Sequence, residues 1–355
     1  MVVFGSLVTL VLIIAGLLWR RNIYLTAVSL IWIWLIMSFN YDGVDYSGNE
    51  IIYLYADKSA ENFPLSLLNY FSYMLVDTAH ELSLDYWEYN GVVVTVLLSF
   101  WGLFLLKNVR NHTAYLSLFM IYPMMDSVFQ KRFFIAMMLC MFSLWYAAHN
   151  ERIKYMVLAI ISMGFHFTAV FSVLYVLIAY IREKSKLIVI LLFFCEIAII
   201  LFFKDYILMI MAADNAKISE YIGGNAISIF AGISYIATQV VFVYLTDIIL
   251  RNYVDDKSVD FIRGLNISSL FFMPFLMADA VFFRFYRIIM MIVYVYVVDS
   301  LSREFGNGRP AFYGTVYIVL LFSFVLVTAS FDKIGWELFL ETLFRYNKAI
   351  EGMSL

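Results

Sequence analysis

The sequence is short of charge. Lys, Arg, Asp and Glu together make up 14% of its 355 residues, against about 25% in ordinary soluble domains. With 64% apolar residues, such a chain cannot cover a water-facing surface, which excludes a soluble globular domain and assigns the apolar excess to lipid. Cysteine is scarcer still. Cys140 and Cys195 lie in separate apolar runs without metal-ligand spacing, so both read as small core residues and no disulfide framework is expected. The four histidines, His80, His112, His149 and His166, do not cluster. A net charge of −3 gives nucleic acid little to hold, and no such partner is expected. The sequence lacks a Gly-rich phosphate loop ending in Lys-Ser/Thr, a Gly-x-Ser-x-Gly elbow and a His-Glu-x-x-His pair. It also lacks a low-complexity tract and an internal repeat. The reading is all-α, one polytopic transmembrane domain over 1–355.

What the sequence does have is apolar runs near the length that crosses a bilayer, roughly 17–25 residues as helix. They fall near 3–19, 23–39, 91–106, 112–125, 133–148, 154–168, 169–181, 187–203, 229–250, 264–278, 285–299 and 311–328, about twelve helices. The pair around His166 can also form a tight hairpin or one bent element. The first run has no basic residue ahead of it and ends at Arg20-Arg21, so it reads as a retained span rather than a cleaved signal. Basic residues orient the set. With the amino terminus outside, the inner connections hold Arg20, Arg21, Lys107, Arg110, Arg152, Lys154, Arg182, Lys184, Lys186, Arg251, Lys257, Arg263, Arg303 and Arg309. The chain is thus placed as a multi-pass membrane protein.

The outer connections are the longer ones: 40–90, 204–228 and the tail 331–355. In the tail, Trp336, Phe339, Leu340, Leu343 and Phe344 share a helical face, which predicts an amphipathic helix lying flat at the interface. Loops on a rigid scaffold carry function, so the working site is expected outside.

Ionisable residues among apolar spans cost a few kcal/mol each on insertion scales and persist mainly at functional sites. Asp42, Asp45, Asp126, Lys131, Arg132, His166, Asp279, Arg284 and Arg287 all fall at the outer boundary of this topology. Separate parts of the chain supply them at one depth, which suits an anionic headgroup whose tail stays in lipid. Arginine matches phosphate oxygens with paired hydrogen bonds, and a carboxylate or imidazole accepts a proton. Each residue has a plainer reading. Lys131 and Arg132 can end a helix and snorkel to lipid phosphates. Asp279 can be a structural counter-charge to Arg284 and Arg287, which lie three apart on one helical face. His166 can bond a backbone carbonyl, Asp126 can cap a helix, and Asp42 and Asp45 can cap a turn or seat a cation. The arginines supply positive charge without a metal, and no cofactor is expected.

Three patches resemble the EpsG and Wzy group of bacterial polysaccharide polymerases. They are Asn40-Tyr41-Asp42-Gly43-Val44-Asp45-Tyr46, Gln130-Lys131-Arg132-Phe133-Phe134-Ile135-Ala136 and Phe165-His166-Phe167-Thr168-Ala169. A late arginine-bearing span, Arg284-Phe285-Tyr286-Arg287, adds to the likeness. The resemblance implies transfer of a growing glycan from polyprenyl pyrophosphate to an incoming lipid-linked repeat unit on the outer face. It also implies work alongside a flippase and a chain-length regulator. Under it, Arg132, Arg284 and Arg287 stabilise the departing pyrophosphate, and Asp126, His166 or an aspartate of the 42–45 pair takes the acceptor proton. Asp42, Asp45, Tyr46, Lys131 and Asp279 line the substrate. The rival readings are a transporter or flippase of lipid-linked oligosaccharide, and another membrane glycosyltransferase or acyltransferase.

Overall fold

The computed structural model describes residues 1–41, 46–55, 69–198, 229–251, 256–277, 282–303, 308–331, 340 and 343–351. The described chain is helical. In order, the helices are α1 (Val2–Leu18), α2 (Ile23–Phe39), α3 (Tyr46–Tyr55), α4 (Tyr70–Glu81), α5 (Tyr86–Asn108), α6 (His112–Ile121), α7 (Met124–Phe129), α8 (Lys131–Ala148) and α9 (Arg152–Met163). A 3₁₀ turn, Phe167–Ala169, leads into α10 (Val170–Lys184), and α11 is described over residues 186–198. There follow α12 (Ile229–Arg251), α13 (Lys257–Ser268), a 3₁₀ stretch Ser269–Met277, α14 (Phe283–Arg303), α15 (Gly308–Phe331) and α16 (Lys348–Glu351). Among them, Tyr86–Asn108, Lys131–Ala148, Gly232–Arg251 and Lys257–Met277 are long and apolar enough to cross a membrane. Shorter apolar helices cover Val2–Leu18, Ile23–Phe39, His112–Ile121 and Tyr313–Val325. The perimeter is greasy: α1 exposes Val3, Leu7, Val11, Ile14 and Leu18, and α11 exposes Leu187, Leu191 and Phe194. A water-soluble protein does not present apolar area on that scale, and the chain reads as a multi-pass membrane protein.

Several expected spans are not simple helices. The run at 112–125 breaks where Pro123, which lacks a backbone donor, separates α6 from α7. The run at 154–168 yields α9, of 12 residues and so about 18 Å long, short of a hydrocarbon core of about 30 Å. The run at 264–278 passes from α-helix to 3₁₀ structure that contains Pro274. These breaks leave backbone groups free for side chains, which is tolerated inside a membrane only where protein or a cavity surrounds them.

Local sequence sets several helix starts. Asp85 accepts from the Glu88 N–H at 2.8 Å while Glu88 Oε2 accepts from the Asp85 N–H at 3.0 Å, a reciprocal box that starts α5. Asn22 accepts from the Leu25 N–H at 3.0 Å to start α2. α14 is apolar on every side, and Ile288 through Val295 are all at most 1% exposed. Such a helix belongs in the middle of a bundle, and it packs against α8, α12 and α13.

Helix ends sort into two groups, as the alternation of basic connections predicts. At the basic end, the Thr113 N–H donates to the Arg20 carbonyl at 3.3 Å and the Asn111 N–H to Asp299 Oδ1 at 3.0 Å. At the opposite end, Asn40 bridges Asn347, the Phe71 N–H donates to the Gly164 carbonyl at 2.9 Å, and Asn49 Nδ2 donates to the Phe129 carbonyl at 3.1 Å. The tail departs from expectation. Trp336 and Phe339 lie outside the described residues, but Leu343 and Phe344 are buried at 0% and 2% exposure. Asn347 donates to the Leu35 and Ile36 carbonyls at 3.1 and 3.2 Å. The Ile36 carbonyl lies in the last turn of α2, whose carbonyls lack a helical partner, so the described end of the tail, 343–351, docks on the end of α2.

Close helix contact makes one prediction. A Cβ on Gly16 would stand 2.3 Å from Ser117 Oγ and 2.8 Å from the Thr113 carbonyl oxygen. Small residues allow such approach between membrane helices. Gly16→Val is expected to cost about 1–3 kcal/mol by overpacking, read as a lower unfolding midpoint in detergent.

Candidate functional site

The ionisable residues meet where three helix starts converge. Arg132 is the second residue of α8, and Arg284 and Arg287 lie in the first two turns of α14. His166 precedes the 3₁₀ turn that leads into α10. Helix starts carry partial positive charge, so a cation there is opposed by roughly 0.3–1 kcal/mol. An anionic ligand reverses that sign, because the free N–H groups and the cations then act together.

Arg287 is 5% exposed. Its Nη1 donates to Asp126 Oδ2 at 2.5 Å and its Nη2 to Gln130 Oε1 at 3.4 Å. Its guanidinium lies 4.9 Å from the centre of the Phe133 ring, an added cation–π contact. The Tyr122 hydroxyl also reaches the Asp126 carboxylate. Asp126 is in the first turn of α7, where a negative charge is favoured.

His166 is half-buried, and the charges of Arg284, Arg132 and Arg287 all act on it. The Thr168 N–H donates to its Nδ1 at 3.3 Å, and the Thr168 hydroxyl stands 2.8 Å from the same nitrogen. A ring nitrogen that accepts carries no proton, so the neutral imidazole holds its proton on Nε2. Phe133 and Phe167 flank the ring, with centroids at 5.4 and 5.1 Å.

Arg132 is half-buried and in no ion pair among the described residues. Its charge acts on Tyr86 and Tyr89 as well as on His166. Those tyrosines belong to a small apolar layer with Tyr53, and Tyr46 joins it with its ring 5.1 Å from that of Tyr86. Tyr86 and Tyr89 are site neighbours that the residue-by-residue reading missed. The available signal was their i, i+3 spacing directly behind the Asp85 cap.

Of the predicted site residues, the structure brings Asp126, Arg132, His166, Arg284 and Arg287 into one neighbourhood, with Tyr46 beside Arg132 through the tyrosine layer. Asp42, Asp45 and Asp279 lie outside the described residues. Lys131 requires a correction. Its plainer reading is an ammonium snorkelling to lipid, but the side chain is 9% exposed and Nζ has no hydrogen-bond partner among the described residues, which rules that reading out and leaves the substrate-lining one a proposal. Among the described residues, no group of three or more His, Cys, Asp or Glu side chains could share one metal ion.

Halfway along α14 a row of buried aromatic rings packs among the described helices. Trp101, Tyr115 and Tyr294 are fully buried and Tyr317 is 1% exposed. Successive ring centroids are 5.8, 6.5 and 6.4 Å apart. This aromatic row lies between the arginine cluster and the basic end.

No curated protein and no solved structure gives a significant match to the chain. A family model described as the EpsG family matches residues 23–344, a stretch that runs from α2 to the docked tail and includes every site residue above. With nearly its whole length matched, the chain belongs to the EpsG family.

Proposed function

We propose that this protein works in exopolysaccharide synthesis as a glycosyltransferase of a bacterial cytoplasmic membrane, spanning it about twelve times. It lengthens a glycan carried on polyprenyl pyrophosphate, and its site opens to the extracytoplasmic side. The observation that carries the reading is the meeting of Arg132, Arg284 and Arg287 around His166, with Asp126 the one carboxylate of the cluster among the described residues. Such a cluster fits a diphosphate at the membrane boundary, with the isoprenoid tail left in lipid.

In the step, the acceptor hydroxyl oxygen attacks the anomeric carbon. The bond from that carbon to the pyrophosphate oxygen breaks, and its electron pair leaves with the lipid pyrophosphate. The arginines meet the charge developing on that oxygen, and His166 donates to it through Nε2–H. A base must take the acceptor proton, and we assign that role to Asp126, the carboxylate of the cluster among the described residues. In the resting structure Asp126 is held by Arg287. A phosphate oxygen that engages Arg287 loosens that pair and frees the carboxylate as substrate arrives. Half-buried Tyr46, at the edge of the tyrosine layer, has ring surface left for the incoming sugars, whereas Tyr53, Tyr86 and Tyr89 are buried. A transporter needs a path through the bundle, and among the described residues Trp101, Tyr115 and Tyr294 fill the space beside the middle of α14.

The reading is tested by purified protein in proteoliposomes with a polyprenyl-pyrophosphate-linked repeat unit. Longer lipid-linked glycan and free polyprenyl pyrophosphate should appear without a nucleotide. Movement of the repeat unit across the bilayer with no lengthening would overturn it. The role of His166 has its own test. Gln can supply an N–H donor but cannot take a proton, so His166→Gln should keep several-fold more elongation than His166→Ala. Equal loss in both variants would return His166 to the role of base.

A further inference from the structure

The basic end of the bundle holds a cavity of about 580 Å³ between the ends of α5, α8 and α14. By helix rise, Asp299 on its wall lies about 18 Å along α14 from Arg287, with the buried aromatic row at Tyr294 between them. The cavity is therefore separate from the arginine cluster. Its volume is in the range of small-molecule sites, roughly 300–1,000 Å³.

Charge is unevenly used on this wall. Two carboxylates, Asp256 and Asp299, face the cavity, and local hydrogen bonds already engage both. Asp299 accepts from the Arg110 and Asn111 N–H groups at 3.2 and 3.0 Å. Asp256 caps α13, accepting from the Ser258 N–H at 2.9 Å and the Ser258 hydroxyl at 2.6 Å. Arg21, Lys107 and Arg110 line the same cavity, and among the described residues their charged heads are in no ion pair. They come from three different stretches: the α1–α2 turn, the end of α5 and the α5–α6 turn. The orientation rule asks for basic residues in such loops but not for their convergence on one concavity. Three like charges facing a shared space repel, and an anion between them turns repulsion into attraction. His112 and His149 lie on the same wall, with Nδ1 engaged by Thr26 and by the Trp145 carbonyl, so each can donate to an anion from Nε2 only as the imidazolium. The Trp145 and Tyr296 rings, 5.9 Å apart, stiffen the wall between α8 and α14.

We propose that this cavity binds a phosphate-bearing anion at the basic, cytoplasmic end of the bundle through Arg21, Lys107 and Arg110. Its volume exceeds what orthophosphate alone would fill, so the occupant is a larger soluble phosphate compound or the headgroup of an anionic phospholipid. Bound there, the anion ties the α1–α2 turn to the α5–α6 turn beside the foot of α14, whose other end carries Arg284 and Arg287. The inference does not rest on the transferase reading. A protein that lengthens no glycan can still hold an anion here.

The test uses the full chain in phosphatidylcholine nanodiscs, with inorganic pyrophosphate as the probe in calorimetric titration. Because the outer cluster also suits a diphosphate, Arg132→Ala/Arg284→Ala silences that site. Pyrophosphate binding should survive in this background and weaken at least about tenfold on adding Lys107→Gln/Arg110→Gln, given the strength of charge-assisted hydrogen bonds. Phosphatidylglycerol nanodiscs separate the sources. Competition by this lipid, with less of it co-purifying with the Gln variant, identifies a headgroup. Binding unchanged by the lipid identifies a soluble anion. Lys107→Gln alone, at an exposed and unpaired side chain, serves if the combined variant does not accumulate. The proposal is overturned if the Gln substitutions leave both pyrophosphate binding and retained phosphatidylglycerol at parental levels. It is equally overturned if the outer-silenced protein binds neither.

Discussion

Arg132→Ala is expected to lower glycan elongation by about 10²–10³-fold, the usual loss when one preorganised donor to developing charge is removed. The protein should still reach the membrane and unfold near the parental midpoint. Function and stability separate here because Arg132 is half-buried and in no ion pair among the described residues. Truncating it orphans no carboxylate among the described residues. Its position in the first turn of α8, against the helix dipole, makes the empty site slightly less stable than an alanine site would be. Arg132→Lys keeps the charge but loses the two-pronged geometry that fits phosphate, and it should fall between parent and Ala. The measurement is length of lipid-linked glycan in proteoliposomes, beside a thermal melt of the same sample. Parental elongation by Arg132→Ala would remove the residue from the pyrophosphate clamp.

The Asp126–Arg287 pair should behave in the opposite way. Arg287 is 5% exposed, and its carboxylate partner is the Asp126 side chain, 30% exposed. Asp126→Ala would leave a buried guanidinium without its counter-charge, a loss of about 3–5 kcal/mol in comparable buried pairs. Arg287→Ala removes the cation, its contact to Gln130 and its packing on Phe133, and should cost a similar amount together with elongation. The double variant Asp126→Ala/Arg287→Ala should recover part of the stability, since it buries no lone charge, yet remain inactive. Unfolding midpoints of the four proteins form a double-mutant cycle that isolates the coupling. A coupling energy near zero would mean that water already screens the pair, and the proposed release of Asp126 by substrate phosphate would lose its basis.

The central helix shows why the two variants diverge. α14 carries both a fully buried apolar column and, at its start, the cations of the site. Arg287 is therefore structural and functional at once, whereas Arg132, on a helix start at the edge of the cluster, has fewer structural partners. No feature of the one-dimensional pattern Arg284-Phe285-Tyr286-Arg287 distinguishes these roles. Only the partner across the interface does.

Much was legible from residue order alone. Charge scarcity and long apolar runs determined a helical membrane protein, because backbone groups in lipid must bond within their own segment. The spacing of basic connections predicted which helix ends lie together, and the contacts at Arg20, Asn111 and Asp299 agree. The candidate residues Asp126, Arg132, His166, Arg284 and Arg287 stood out because charge in an apolar context is costly. Tertiary structure decided the rest. It paired Asp126 with Arg287, buried Lys131, brought Arg132, Arg284 and Arg287 around His166, folded the end of the tail onto α2 and opened a cavity at the basic end. Hydropathy records how much apolar surface a segment has, which is a local property. Which charge meets which, and where a void remains, depends on side chains from distant segments arriving at one point, and that is settled only when the helices pack.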